Sequence, residues 1–229
     1  ATAIAIYLSW VGRYNQFFAD IPQWLSAFIV VIVTVALNLI SGKLFGELEF
    51  WFALIKILAL LSFMAVGIWY LVFGEPINGV RPGLELIAAN DGFFPNGILP
   101  ALIVVQGVVF AYAGIELVGT TSGETKNVEK VIPRAINTVI WRIAIFYVGS
   151  VVLLCLLMPY TAYKDAESPF VTFFDAIGID GTAPIMQLVV ITAAASSLNA
   201  GLYSTGLILH SMCVAGSAPK FTTKVSRSG

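Results

Sequence analysis

Charged residues are scarce in this sequence. Only 11% of its 229 residues are Asp, Glu, Lys or Arg, and 59% are hydrophobic, whereas soluble domains carry about 25% charged residues. A mean hydropathy of +0.91 therefore excludes an ordinary soluble domain and predicts an all-α polytopic membrane protein. The formal net charge is −1, so no basic surface suggests nucleic acid as a partner.

The groups that build most enzyme and metal sites are also few. One histidine, His210, and two cysteines, Cys155 and Cys213, show no metal-ligand spacing and no serine–histidine–acid constellation, and no glycine-rich phosphate loop is present. We therefore predict no metal, no cofactor and no enzymatic activity. The first apolar run is already under way at Ala1 and lacks a signal-peptide pattern, so we expect the chain to be a fragment without a signal peptide.

Apolar segments near the bilayer-crossing length of about 20 residues recur along the chain. They predict a single membrane domain, truncated at both ends, with the end of one span at about residues 1–11 and full spans at about 24–41, 50–73, 99–121, 140–158 and 184–214. Residues 42–46 are expected to turn into the third span, and residues 123–134 to connect the fourth span to the fifth. Ser168 and Pro169 predict the start of a short interfacial helix reaching Ile177, because proline is favoured at the first helical position.

Basic residues sort to one side when the spans alternate across the membrane. That side carries Lys43, Lys126, Lys130, Arg134, Arg142, Lys220, Lys224 and Arg227. The opposite side carries only Arg13, Arg81 and Lys164. By the positive-inside rule the first side is cytoplasmic, and the chain is predicted to be a multi-pass protein of the cytoplasmic membrane.

A glycine–acid break interrupts the fourth span at Gly114-Ile115-Glu116. A carboxylate at that depth costs about 2.5–3.5 kcal/mol on insertion scales, and such a break is tolerated only where backbone lines a cavity or is buried in protein. Broken helices form the midplane substrate sites of secondary transporters, because the freed carbonyls and half-helix ends suit the two charges of a zwitterion. The alternative is a plain kink in which Glu116 pairs with a basic neighbour.

Two further places offer polar groups inside apolar spans. Lys56 lies roughly 10 Å into the third span at 1.5 Å per residue, where it either snorkels to the inner interface or is a buried amine that exchanges a proton. In the sixth span, the small-residue run around Ser196, Ser197 and Asn199 either packs against a helix or faces an ion or proton site. Residues 123–134 form either a solvated connector or a gate.

Several segments resemble signatures of bacterial amino acid permeases. They are residues 43–56 (KLFGELEFWFALIK), 110–119 (FAYAGIELVG), 123–127 (GETKN), 132–137 (IPRAIN) and 168–171 (SPFV). Over nearly its whole length the chain is similar to the amino acid transporter family within the amino acid–polyamine–organocation superfamily. The resemblance implies part of the leucine-transporter-type inverted-repeat fold, namely the end of transmembrane helix 3 and helices 4 to 8, with helix 6 broken. Helices 1, 2 and 9–12, and with them half of the substrate site, would then lie outside the chain.

The resemblance also implies a function and a set of site residues. It implies a proton-coupled symporter that imports a small neutral amino acid, most similar to D-serine/D-alanine/glycine carriers, with amino acid, proton and membrane lipid as partners. Aromatic and proline permeases of the family stay open, as does a non-transporting amino acid sensor. The expected substrate-binding residues are Phe110, Ala111, Tyr112, Ala113, Gly114 and Glu116. The expected proton-coupling residues are Lys56, Ser196, Ser197 and Asn199. The enantiomer, the proton stoichiometry and the oligomeric state are left open.

Overall fold

The structure, a computed structural model, describes residue 4 and residues 21–40, 42–74, 76–111, 127–163 and 167–219. In these ranges the chain forms helices α1 Gln23–Ile40, α2 Gly42–Phe73, α3 Leu84–Ala89, α4 Ile98–Ala111, α5 Val128–Arg142, α6 Gly149–Leu157, α7 Pro169–Ala176 and α8 Thr182–Val214. A π-helix, Ile143–Val148, joins α5 to α6, and a short 3-10 helix covers Tyr160–Ala162. An isolated β-bridge between Ile77 and Val80 is the one β-type pairing in the described part of the chain. The predicted all-α class is confirmed.

Three helical segments of the described chain are long and apolar enough to cross a membrane. They are Gly46–Phe73, Val128–Leu157 and Thr182–Val214, with 28, 30 and 33 residues. The last of them is about 50 Å long at 1.5 Å per residue and exceeds a hydrocarbon core of about 30 Å. Two shorter apolar helices are Gln23–Asn38 and Ile98–Val108. The order in which the predicted spans cross the bilayer stays a prediction.

Two segments that we expected to be loops are helical. The predicted turn at residues 42–46 is wrong, because α2 begins at Gly42, and glycine inside a helix costs only about 1 kcal/mol. The predicted connector at 123–134 is helical from Val128 onward, with Pro133 inside α5. That proline forgoes one backbone hydrogen bond, while the rest of the helix keeps its own. Residues 123–126 lie outside the described residues.

The predicted short helix after Ser168 is confirmed. Helix α7 runs Pro169–Ala176, with Ser168 as its N-cap and the proline at the start of its first turn. Thr172 Oγ1 donates to the Ser168 carbonyl at 3.2 Å, which ties the first turn of the helix to its cap. Near the start of α8, Thr182 Oγ1 donates to the Phe174 carbonyl at 3.2 Å.

The chain divides into two compact units, the first made of Ala1–Ala59 and Pro184–Gly229 and the second of Leu60–Ala183. The core of the second unit centres on Phe63 of α2, whose side chain is fully buried. Its ring meets the rings of Phe170 and Phe173 edge to face, with centroids 4.9 and 5.3 Å away, a favourable aromatic geometry. One turn later, a Cβ at Gly67 would lie 3.0 Å from Leu157 Cδ1. The absence of a side chain at Gly67 therefore lets α2 and α6 approach closely.

Tyr163 closes the end of α6 in the second unit. Its hydroxyl donates to the Leu154 carbonyl at 2.7 Å, and its ring lines an apolar cleft of about 550 Å³ together with Leu86 and Phe93. Burial, with a smaller contribution from Cys155, raises the pKa of the Tyr163 phenol above its usual range. The neutral phenol is therefore the form that this part of the fold stabilises.

Candidate functional site

Lys56 and Ser196 meet in the first unit. Lys56 Nζ donates to Ser196 Oγ at 2.7 Å. Ser196 is fully buried, whereas the Lys56 side chain retains 32% of its exposure. The structure thus brings together the amine and one of the hydroxyls that the sequence singled out, from helices α2 and α8.

Glu49 extends this contact into a chain of three groups. Ser196 Oγ donates to Glu49 Oε1 at 2.5 Å, and the same carboxylate oxygen lies 3.9 Å from Lys56 Nζ. A serine hydroxyl can accept one hydrogen bond and donate another, so amine, hydroxyl and carboxylate are connected in series. Glu49 precedes Lys56 by seven residues, about two helical turns, so the ammonium extends toward the start of α2, the predicted cytoplasmic end.

This geometry bears on both interpretations of Lys56. The side chain does extend toward the predicted inner surface, as snorkelling requires. Its ammonium nevertheless meets a buried serine and a carboxylate that is itself only 30% exposed. A charged group held by such partners in a membrane protein marks a functional site by default.

A pair of asparagines joins α1 to α8 beside the hydrogen-bonded series of Lys56, Ser196 and Glu49. Asn38 Nδ2 donates to Asn199 Oδ1 at 2.7 Å and to the Thr34 carbonyl at 2.9 Å. Asn199 is 5% exposed and follows Ser196 by three residues, so the two share a face of α8. In the described part of the chain, Asn38 Oδ1 and Asn199 Nδ2 are buried without a hydrogen-bond partner. We call the set Asn38, Glu49, Lys56, Ser196 and Asn199 the polar cluster.

Ser197 does not join the polar cluster. Its side chain is exposed, and its hydroxyl donates to the Ala193 carbonyl at 3.1 Å on its own helix. Neighbouring residues of an α-helix point about 100° apart because 3.6 residues make a turn. Because Ser196 faces the interior, the side chain of Ser197 points away from the polar cluster. A role of Ser197 in proton coupling stays a prediction.

The expected substrate residues fall mostly outside the described residues. Phe110 and Ala111 are the last two residues of α4, Ile98–Ala111, where only the helical backbone is described. Tyr112, Ala113, Gly114 and Glu116 lie outside the described residues. The helix break and its substrate contacts therefore stay predictions.

Sequence reasoning missed Glu49 and Asn38. The predicted third span begins at Phe50, so Glu49 fell just outside it, between the predicted turn at residues 42–46 and the span. The signal that could have found it is its spacing of seven residues from Lys56, which places both on one face of a continuous helix. Asn38 is the one amide side chain in a span whose other polar side chains are the hydroxyls of Ser26, Thr34 and Ser41, and such residues commonly hydrogen-bond to a neighbouring helix.

The polar cluster can hold a positive charge and move a proton. The described residues contain no group of three or more His, Cys, Asp or Glu side chains placed to hold a metal ion. Long apolar helices that share an internal amine–hydroxyl–carboxylate chain define a multi-pass α-helical membrane protein. This is the class in which buried ionisable groups line ion and proton pathways.

Comparison with known families identifies the group within this class. The family described as "Amino acid permease" matches residues 1–229, the whole chain. The chain belongs to the amino acid permease family, which confirms the resemblance seen in its motifs. It is a multi-pass cell-membrane protein of a family of transporters, not of enzymes.

Individual relatives are similar along the full chain. It is 54% identical over 226 residues to the L-asparagine permease of Salmonella typhimurium, and the matched region covers 99% of this chain and 45% of that protein. It is 57% identical over 228 residues to L-asparagine permease 1 of Mycobacterium tuberculosis, and the matched region covers 100% of this chain and 46% of that protein. It is 52% identical over 226 residues to the L-asparagine permease of Escherichia coli K12, and the matched region covers 99% of this chain and 44% of that protein. The chain thus spans a little under half the length of these curated relatives.

Proposed function

We propose that the full-length protein imports a small neutral amino acid of the asparagine class across the cytoplasmic membrane, in symport with protons. The observation that carries this proposal is the sequence identity of 52–57% to three bacterial proteins, each of which is named an L-asparagine permease. Those names favour a carboxamide side chain over the D-serine, D-alanine and glycine substrates that the sequence resemblance implied.

The polar cluster supports the proton as the coupling ion. A lysine amine can take and release a proton, whereas arginine stays charged. Lys56 Nζ already donates to a buried hydroxyl at 2.7 Å, so an acceptor for its proton is in place. The carboxylate of Glu49 beyond that hydroxyl compensates the ammonium while it is charged.

Uptake into proteoliposomes tests the proposal. The full-length protein is reconstituted, and uptake of labelled L-asparagine is followed under an imposed pH gradient, inside alkaline, and separately under a sodium gradient. We expect accumulation with the pH gradient and none with sodium alone. Uptake that follows sodium and ignores the pH gradient would refute proton coupling.

A competition panel tests the substrate class. Unlabelled L-asparagine is compared with D-asparagine, D-serine, D-alanine, glycine, L-phenylalanine and L-proline as inhibitors of uptake. We expect L-asparagine to compete most strongly. Stronger competition by D-serine or glycine would favour the substrate class first predicted from the motifs. Binding without counterflow exchange would instead favour a sensor.

A further inference from the structure

In the function proposed above, Glu49 only compensates the charge of Lys56, although it also ends the hydrogen-bonded chain that begins at Lys56. Resting on the proposed proton coupling, we propose that Glu49 receives the coupled proton from Lys56 through the hydroxyl of Ser196 and releases it on the cytoplasmic side. The structure connects the three groups by contacts of 2.7 and 2.5 Å.

The distances explain why the serine is needed. Lys56 Nζ and Glu49 Oε1 lie 3.9 Å apart, beyond the range of about 2.7–3.2 Å in which a nitrogen donor hydrogen-bonds to oxygen. Direct transfer between them would require movement. Ser196 Oγ lies within hydrogen-bond range of both groups, so two short transfers replace one long one.

The proton transfer balances without any further reactant. The Lys56 ammonium gives a proton to Ser196 Oγ as the serine gives its own hydroxyl proton to Glu49 Oε1. The nitrogen keeps its electron pair and becomes a neutral amine, the serine is again a hydroxyl, and the carboxylate becomes a carboxylic acid. The charges of the ion pair disappear together in this transfer, so the transfer itself leaves no isolated charge. Release of the proton then restores the Glu49 carboxylate, and the next coupled proton restores the Lys56 ammonium.

The position of Glu49 suits release toward the cytoplasm. It lies three residues after Gly46, where the membrane-length apolar segment of α2 begins, and its side chain is 30% exposed. Its second oxygen, Oε2, is buried and accepts no hydrogen bond from the described residues. The carboxylate therefore keeps an acceptor position while Oε1 is occupied by Ser196.

The test compares two activities of the reconstituted full-length protein, proton-driven accumulation and counterflow exchange of labelled L-asparagine. Exchange does not require the carrier to discharge its proton, whereas net accumulation does. For Glu49→Gln and for Ser196→Ala we expect the ratio of accumulation to exchange to fall about tenfold or more, since a positioned proton-transfer group typically contributes about 10²–10⁴-fold. Glu49→Asp and Ser196→Thr keep the reactive groups and should recover much of the ratio.

Matched controls lie on the same helices. Glu47→Gln removes an exposed acid of α2, and Ser211→Ala removes an exposed serine of α8 whose hydroxyl donates to the Leu207 carbonyl. Both should keep the wild-type ratio. A purely structural defect at Glu49 or Ser196 would lower accumulation and exchange together and leave the ratio unchanged.

Each outcome separates this proposal from the one on which it rests. If the wild-type protein shows no proton-driven uptake, the proposed function itself fails. If the wild type is proton-driven and Glu49→Gln keeps its ratio, only the relay is overturned. If the ratio of accumulation to exchange falls in Glu49→Gln but stays at the wild-type value in Ser196→Ala, Glu49 is a counter-ion of Lys56. In that case the relay is likewise overturned.

Discussion

Lys56 and Ser196 are 140 positions apart in the sequence, and Lys56 Nζ lies 2.7 Å from Ser196 Oγ. The contact joins α2 to α8 inside one compact unit and places an ammonium against a fully buried hydroxyl. Polar groups in membrane helices are costly unless they pair or serve a pathway. Because amine and hydroxyl are already joined to a carboxylate, the contact gives the proposed proton coupling a physical route.

Replacing Lys56 should separate charge from proton exchange. We expect Lys56→Ala to lower proton-driven uptake of the full-length protein about 100-fold or more, in the range that a proton-transfer group contributes. Lys56→Arg keeps the positive charge opposite Glu49 but does not release a proton, so it should be folded and equally uncoupled. Uptake assays under a pH gradient measure both. Normal accumulation by Lys56→Ala would mean that the lysine only snorkels.

The Asn38–Asn199 hydrogen bond should contribute measurably to helix association. Either single alanine substitution leaves a buried amide group without its partner, which costs about 1–3 kcal/mol. A double-mutant cycle should give a coupling energy of about 0.6 kcal/mol, the mean for such bonds between membrane helices. The free energy of unfolding in detergent micelles is the measurement, with Ser211→Ala, an exposed serine of α8, as the control. Fully additive effects of the two alanines would show that the contact contributes nothing.

Gly67 should tolerate a side chain poorly. A Cβ there would lie 3.0 Å from Leu157 Cδ1, so Gly67→Ala should lower the free energy of unfolding by about 1 kcal/mol and Gly67→Val by about 1–3 kcal/mol. At Gly206 an added Cβ meets no atom of the described residues within 4 Å. Gly206→Ala should therefore be neutral or stabilise by up to about 1 kcal/mol through helix propensity. Thermal unfolding of the three variants checks this. Equal effects of the alanine substitutions at Gly67 and Gly206 would contradict it.

Tyr163 should make stability depend on pH under alkaline conditions. Burial raises the pKa of its phenol in the folded state, while an unfolded tyrosine titrates near about 10. Below that pH both states are protonated and the stabilisation is fully present. Above it, the unfolded state loses the proton first, so stability falls as pH rises toward the folded pKa.

The Tyr163→Phe variant isolates this effect. It removes the hydrogen bond to the Leu154 carbonyl and should cost about 1 kcal/mol at neutral pH, with a flatter loss of stability above about pH 10. Tyr160→Phe, at a half-exposed tyrosine, is the matched control for the loss of a hydroxyl. Unfolding curves from pH 7 upward measure both, and parallel slopes for Tyr163→Phe and the wild type would contradict the assignment.

Helix α2 shows how a predicted boundary limits a predicted site. Gly42 and Gly46 indicated a turn, yet α2 is helical from Gly42. With the span predicted to begin at Phe50, Glu49 lay outside the predicted helix, so its spacing of two turns from Lys56 carried no meaning. In the continuous helix the same spacing puts both side chains on one face, where Ser196 joins them.

Helix α8 shows a different limit. The sequence predicted a polar face from Ser196, Ser197 and Asn199, and three adjacent candidates cannot be distinguished by composition. The rotation of the helix decides among them, because Ser196 and Asn199 are buried while Ser197 is exposed and bonds its own backbone. That rotation is set by packing within the first unit, which no local pattern of residues reveals.

The sequence by itself determined the class of this protein and the family to which it belongs, and it singled out Lys56 as a candidate. These follow from local properties, namely the apolar length of each segment, the sorting of its charges and the order of its motifs. Only the tertiary structure decided that Glu49, Ser196 and Lys56 form one chain and that Asn38 meets Asn199. Hydrogen bonds act over about 3 Å, so they depend on where each helix begins and how it is rotated against its neighbours.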